Sequence, residues 1–123
     1  MFGPERRSAP RIQTYNPVRL RKSGAPKVVE TLTKNVSLGG LRCLSQTVFP
    51  VSTDVTVDLV LSQGEAPCTV TGRAVWLRIV PHSDQFDVGI AFTSISPETK
   101  RRLSAYLAIL AEKTSEVPAG SLS

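Results

Sequence analysis

From Pro17 onward apolar and polar residues alternate in short runs, the period-two pattern of half-buried β-strands. Val18 and Leu20 alternate with Arg19 and Arg21, and Lys22-Ser23-Gly24-Ala25-Pro26-Lys27 predicts a turn. The next run, from Lys27 to about Ser37, is ambiguous in register. Val28, Leu32 and Val36 share one parity with Glu30 and Lys34, whereas Val29 shares the other with Thr31, Thr33, Asn35 and Ser37. In either register Asn35 and Ser37 are two apart and face the same side. After Gly39-Gly40 come a short run, Leu41 to Leu44, and a strand in which Val55, Val57, Leu59 and Leu61 alternate with Thr56, Asp58 and Val60. A long run follows from about Pro67 to Val80, with Val75, Leu77 and Ile79 expected inward and Trp76 and Arg78 outward. In the last strand, Phe86 to Thr93, Phe86, Val88, Ile90 and Phe92 are expected inward and Asp87, Gly89 and Ala91 outward.

The period then changes. Ser96 is placed to cap a helix that begins with Pro97 and carries Glu98 near its positive end. Leu103, Tyr106, Leu107 and Leu110 recur at helical spacing, predicting one amphipathic helix over about 97–112. Short strands followed by a single helix predict a mainly β fold: a small six-stranded antiparallel β-barrel with a C-terminal α-helix. Residues 1–11 hold Pro4 and Pro10 among charges and read as a flexible lead, 12–112 as the barrel plus helix, and 113–123 as a disordered tail. Pro10 would cost about 3 kcal/mol inside a helix, so the lead is expected to be extended.

At 123 residues, 41% apolar and 20% charged, the chain suits one domain with a modest core. No run approaches the roughly 18 to 20 apolar residues of a membrane span, and the opening residues lack the apolar stretch of a signal peptide, so a cytoplasmic location is expected. Cys43 and Cys68 have no Cys-x-x-Cys spacing and His82 is the single histidine, which points to no metal site, no redox pair and no cofactor. The net charge of +5 favours an anionic partner, and Arg6, Arg7, Arg11, Arg19, Arg21 and Lys22 crowd the first 22 residues.

Candidate chemistry lies in two short patterns, Arg7-Ser8-Ala9-Pro10-Arg11 and Asn35-Val36-Ser37-Leu38-Gly39-Gly40. In an extended lead the two arginines point the same way, roughly 13 Å apart. A guanidinium matches phosphate bidentately, matches the O6 and N7 acceptors of guanine, and stacks on bases. The Asn35 amide oxygen can accept from guanine N1 and N2, Ser37 adds a rotatable hydroxyl, and Gly40 suits a crowded backbone position. Taken singly, Arg-x-x-x-Arg occurs by chance in basic proteins and Ser-x-Gly-Gly suits many turns. Arg6, next to Arg7, is a further candidate. So are Asp87 and Gly89, on the outward face of the last strand beside Ala91, where small side chains leave a shelf for a purine, and Trp76, which can stack on a base or pack beneath the helix. The Lys100-Arg101-Arg102 run reads as a solvated face.

With these motifs the chain resembles the PilZ domain family, whose members have an N-terminal Arg-x-x-x-Arg, a later Asp/Asn-x-Ser-x-x-Gly, a six-stranded barrel and a C-terminal helix. Arg7 and Arg11 supply the first motif, and Asn35, Ser37 and Gly40 the second. Further similarity lies in Gly72-Arg73-Ala74-Val75-Trp76-Leu77-Arg78, in Phe86-Asp87-Val88-Gly89-Ile90-Ala91-Phe92 and in the Ser96-Pro97-Glu98 helix start, so it spans roughly residues 5 to 110. The resemblance implies binding of the bacterial second messenger cyclic di-GMP, often as an intercalated pair, and an output relayed to a protein partner. It implies that Arg7 and Arg11 grip phosphates and guanine edges, that Asn35 and Ser37 hold a guanine, and that Gly40 leaves room for the turn. Asn35 stands where many members have Asp, so its contact lacks the negative charge.

The resulting expectation is a cyclic di-GMP receptor that orders its N-terminal segment on binding and signals through an unidentified downstream protein. The alternative is a PilZ-like adaptor that binds no nucleotide. Binding of single-stranded nucleic acid is not favoured, because the few aromatics fall mostly on inward parities. No histidine dyad, carboxylate pair or Gly-x-x-x-x-Gly-Lys loop marks an enzyme.

Overall fold

A computed structural model describes residues 11–122, with side chains as far as 113. Seven strands precede one helix: β1 (Ile12–Gln13), β2 (Pro17–Lys22), β3 (Val29–Ser37), β4 (Gly40–Ser45), β5 (Asp54–Leu59), β6 (Cys68–Ile79), β7 (Phe86–Ser94) and α1 (Pro97–Leu122). The sheet order β1-β3-β2-β5-β6-β7-β4, with β4 returning to β3, closes six antiparallel strands into a barrel and leaves β1 as a short outer strand.

Alternation builds the core as expected in β2, β5 and β7. Val18, Leu20, Val55, Val57, Leu59, Val88 and Ile90 are all buried. Two departures come from bulges. In β3 the pairing steps from Thr33↔Cys43 to Asn35↔Arg42, so Lys34 is an extra residue. Thr33 is buried before the bulge and Val36 after it, so the strand uses both parities and the ambiguity of its register is resolved as a switch between them. In β6 the step from Ala74↔Ile90 to Trp76↔Gly89 makes Val75 the extra residue. Val75, expected inward, is therefore 45% exposed, Ala74 takes the core position, and Ile79 at the strand end is also exposed.

β1 and β2 are two pieces of one interrupted strand along the same edge of β3, broken at Thr14–Asn16. Asn16 at the break is buried and fully engaged. Its amide donates to the Val60 carbonyl at 3.0 Å and to the Tyr106 hydroxyl at 2.8 Å, its oxygen accepts from the Thr14 hydroxyl at 2.8 Å, and its backbone N–H donates to Thr33 Oγ1 at 2.9 Å. This knot ties the start of the chain to α1, which packs Leu103 and Leu107 into the core. Each leucine contributes roughly 1.5 to 3 kcal/mol by burial. The Ser96 hydroxyl accepts the Thr99 N–H at 3.1 Å, capping the helix start as expected. The helix continues past residue 112, where the sequence predicted its end, through Leu122. Leu110 closes the apolar stripe, but Ala111-Glu112-Lys113 are good helix formers with no stop signal, so loss of amphipathicity does not end the helix. Of the lead, residues 1–11, all but Arg11 lie outside the described residues.

Candidate functional site

One transverse row of the barrel wall gathers most of the candidate residues. Gln13 pairs with Asn35, Asn35 with Arg42, Arg42 with Gly89, and Gly89 with Trp76. Strands about 4.8 Å apart put Asn35 and Trp76 roughly 14 Å from each other along that row. Arg11, two residues before Gln13, folds onto it, and its Nη1 donates to the Asn35 Oδ1 at 2.9 Å. The two motifs thus meet in space, at the end of the barrel where α1 begins. Arg7 and Arg6 lie outside the described residues.

Ser37 and Gly40 occupy the β3–β4 turn and are committed to the fold. Ser37 is 2% exposed, and its hydroxyl accepts the Gly39 N–H at 3.1 Å and donates to the Gly40 carbonyl at 3.4 Å. At Gly40 a Cβ would lie 2.2 Å from the Ile90 carbonyl oxygen, so glycine is required there by contact with β7. Gly89 serves another neighbour: a Cβ there would fall 2.3 Å from the Trp76 ring, so the indole lies against the β7 backbone. The Trp76 ring also has the guanidinium carbons of Arg42 and Arg78 at 5.9 Å and 5.1 Å from its centroid.

Asp87, expected on an open shelf, is instead buried and paired. The Arg42 guanidinium forks onto it at 2.9 Å and 2.5 Å, and Lys34 Nζ stands 4.0 Å away. The Arg42 hydrogen bonds hold the Asp87 carboxyl below its ordinary value against the opposing effect of burial, with the charges of Arg42, Lys34 and Arg78 adding to this. Arg42 is raised in turn, chiefly by the same hydrogen bond. Sequence reasoning missed Arg42. Its outward parity between Leu41 and Cys43 was the available signal, but its partner lies 45 residues away and becomes a neighbour only through β4–β7 pairing. Lys34, Arg42 and Arg78 surround one buried carboxylate and Arg11 adds a further cation at Asn35, so the face carries net positive charge and suits an anionic ligand.

Cys43 and Cys68 are buried free thiols, and burial pushes Cys43 up to about 12, with the Asp87 charge adding to it. Among the described residues no cluster of His, Cys, Asp and Glu could hold a metal ion, and no helix is long and apolar enough to cross a membrane.

A family model for the PilZ domain matches residues 5–108. No curated protein matches the chain in sequence. Among solved structures, the PilZ domain with c-di-GMP of YcgR from Escherichia coli superposes with a TM-score of 0.69 at 16% identity, over 93% of this chain and 98% of that one. YcgR in complex with c-di-GMP from the same organism gives 0.73 at 15% identity, and the Bacillus subtilis inhibitor of motility MotI/DgrA gives 0.70 at 17%. These two cover 96% and 82% of this chain, which spans 51% and 48% of theirs.

Proposed function

The chain belongs to the PilZ domain family, and from that membership we infer that it is a receptor for cyclic di-GMP rather than an enzyme, reading the messenger on the outer face that carries Arg11 and Asn35. The observation that carries this reading is the 2.9 Å hydrogen bond from Arg11 to Asn35, which joins the two motifs at one edge of a positively charged row. The relatives solved with c-di-GMP support the ligand's identity.

In this reading Arg11 and Arg7 grip phosphates and guanine edges, Asn35 addresses a guanine, Ser37 acts from within by holding the turn rather than by touching the base as the resemblance implied, and Gly40 keeps the turn close to β7. Arg6, Gly89 and Trp76 line the periphery, and Asp87 acts by holding Arg42 in place. Half of the grip comes from the first eleven residues. Ordering them costs about 1 to 2 kcal/mol per residue, whereas each charge-assisted hydrogen bond returns about 1.5 to 3, so several contacts form together. The lead closing on the barrel changes the surface offered to a downstream protein, which is the output.

Calorimetric titration of cyclic di-GMP, with GTP as control, tests this reading. Saturable binding that Arg11→Ala weakens ten- to a hundredfold or more is expected, because 1.4 kcal/mol is tenfold. Equal affinity in Arg11→Ala, or no binding by the wild type, removes it. Hydrogen exchange of the lead that does not slow on ligand addition removes the ordering step alone.

A further inference from the structure

The barrel is unzipped along one seam. β3 and β4 leave the shared turn as a ladder that ends at Thr33↔Cys43, and beyond it the strands diverge. They enclose a cleft of about 570 Å³ between Val29–Thr31 on one side and Leu44–Gln46 on the other. Its far end lies about 20 Å along β3 from Asn35.

The register decides what faces the cleft. The Pro17 carbonyl accepts from Val60 on the β5 side, so Pro17↔Leu32 and Arg19↔Glu30 are pairs whose backbone bonds point away from each other. Leu32 and Glu30 therefore aim their N–H and C=O groups into the cleft. On β4 the Gly39 carbonyl accepts from Phe92, so Leu41, Cys43 and Ser45 bond toward β7, while Leu44 and Gln46 turn the other way. Past the Leu44 N–H, which the Thr33↔Cys43 pair commits to the Leu32 carbonyl, two strand edges without ladder partners face each other, a template for an added strand.

The surroundings specify the occupant. Glu30, the carboxylate at the cleft, is engaged by Arg19 at 2.8 Å. Lys22 and Lys27 flank a smaller apolar pocket of about 110 Å³ that adjoins the cleft at Val29 and Thr47 and has Phe49 in its wall. Neither lysine forms an ion pair among the described residues. That pocket has room for one branched aliphatic side chain beneath two cations. A second copy of the chain would bring the same lysines against each other, an arrangement that discourages edge-to-edge pairing.

We propose that the β3–β4 seam is a docking site for an extended acidic segment of a partner protein, which adds a strand to the free edge of β3 and places one aliphatic side chain between Lys22 and Lys27. The site stands apart from the Arg11–Asn35 face and does not depend on nucleotide binding.

The test selects binders from a displayed library of random decapeptides and measures them by fluorescence anisotropy against three forms of the protein. Leu32→Pro removes an N–H that faces the seam while sparing the β2–β3 ladder. The double substitution of half-buried Lys22→Glu with exposed Lys27→Glu reverses the charge of the pocket rim, and urea unfolding checks that each variant is folded. Enriched peptides should be acidic with alternating aliphatic residues, should protect the Glu30, Leu32 and Gln46 amides from exchange, and should bind the charge-reversed form about tenfold or more weakly. Leu32→Pro should lose most of the binding; if that variant does not fold, the charge-reversed form and the exchange pattern decide. No enrichment, basic peptides, peptides that bind all three forms equally, or a wild-type dimer that charge reversal dissolves would each overturn the proposal.

Discussion

Alanine at Gly40 and alanine at its neighbour Gly39 should have opposite effects. At Gly40 the new methyl would meet the Ile90 carbonyl oxygen at 2.2 Å and the Ala91 Cα at 3.1 Å. Both are backbone atoms of β7, which is fixed by ladders to β4 and β6, so neither can swing aside as a side chain end does. β4 would have to retreat from β7 by about an ångström, stretching the hydrogen bonds around Leu41. Overpacking of this kind costs about 1 to 3 kcal/mol, and weakened ladder bonds add about 1 more, giving roughly 2 to 4 kcal/mol. At Gly39 the nearest atom to a new Cβ is Ser37 Oγ at 3.9 Å, and the backbone is not left-handed. Alanine there fits without strain and restricts the unfolded chain, a stabilisation of about 0.4 to 1 kcal/mol. Urea and thermal unfolding, followed by Trp76 fluorescence and circular dichroism, read both. For a chain of this size about 4 °C accompanies each kcal/mol, so Gly40→Ala should melt roughly 8 to 16 °C lower while Gly39→Ala stays within a few degrees of wild type or rises. A Gly40→Ala protein of wild-type stability would refute the packing argument, and if it had also lost cyclic di-GMP, the glycine would belong to the ligand instead.

Arg42→Ala strands the buried Asp87 carboxylate and should cost about 2 to 3 kcal/mol in urea unfolding, below the roughly 3 to 5 of fully buried pairs because Arg42 is a third exposed. Asp87 is held below its ordinary 3.8, so its stabilisation is complete above that value and lost as pH falls through the lower folded value. The stability gap between wild type and Asp87→Asn should accordingly be flat above about pH 5 and close in stronger acid; a gap that closes near pH 6 would assign it to another group. Asn16→Ala leaves the Val60 carbonyl and the Tyr106 hydroxyl without its amide and should cost about 2 to 3 kcal/mol, with a coupling of about 0.5 to 1.5 to Tyr106→Phe in a double-mutant cycle; additive losses would dissolve the link between β1 and α1. Gly89→Ala would drive a methyl into a ring that can tilt, so a cost of about 1 to 2 kcal/mol with a red-shifted Trp76 emission is expected, and an unchanged spectrum would refute the seating of the indole.

Local order was readable where one parity holds through a strand. Val18 and Leu20, the Val55 to Leu61 run, and Val88 with Ile90 all fall inward as their alternation requires. The helix start was readable because its cap is a local interaction between Ser96 and Thr99. The Arg42–Asp87 pair was not, since each residue alone is an ordinary outward charge. Only closure of the barrel makes them neighbours, and only burial beside Trp76 and Lys34 makes the pairing consequential.

The two bulges explain both the misread positions and the shape of the candidate site. A period-two reading assumes that every residue advances the alternation, so an inserted residue flips all that follow it. Lys34 is inserted one residue before Asn35, and Val75 one residue before Trp76. Had the alternation run unbroken through Lys34 and Val75, Asn35 would fall on the parity of Thr31 and Thr33 and Trp76 on the parity of Ala74, both facing the core. The irregularities that made β3 ambiguous and exposed Val75 therefore turn an amide and an indole onto one outer row, with Arg42 and Gly89 between them.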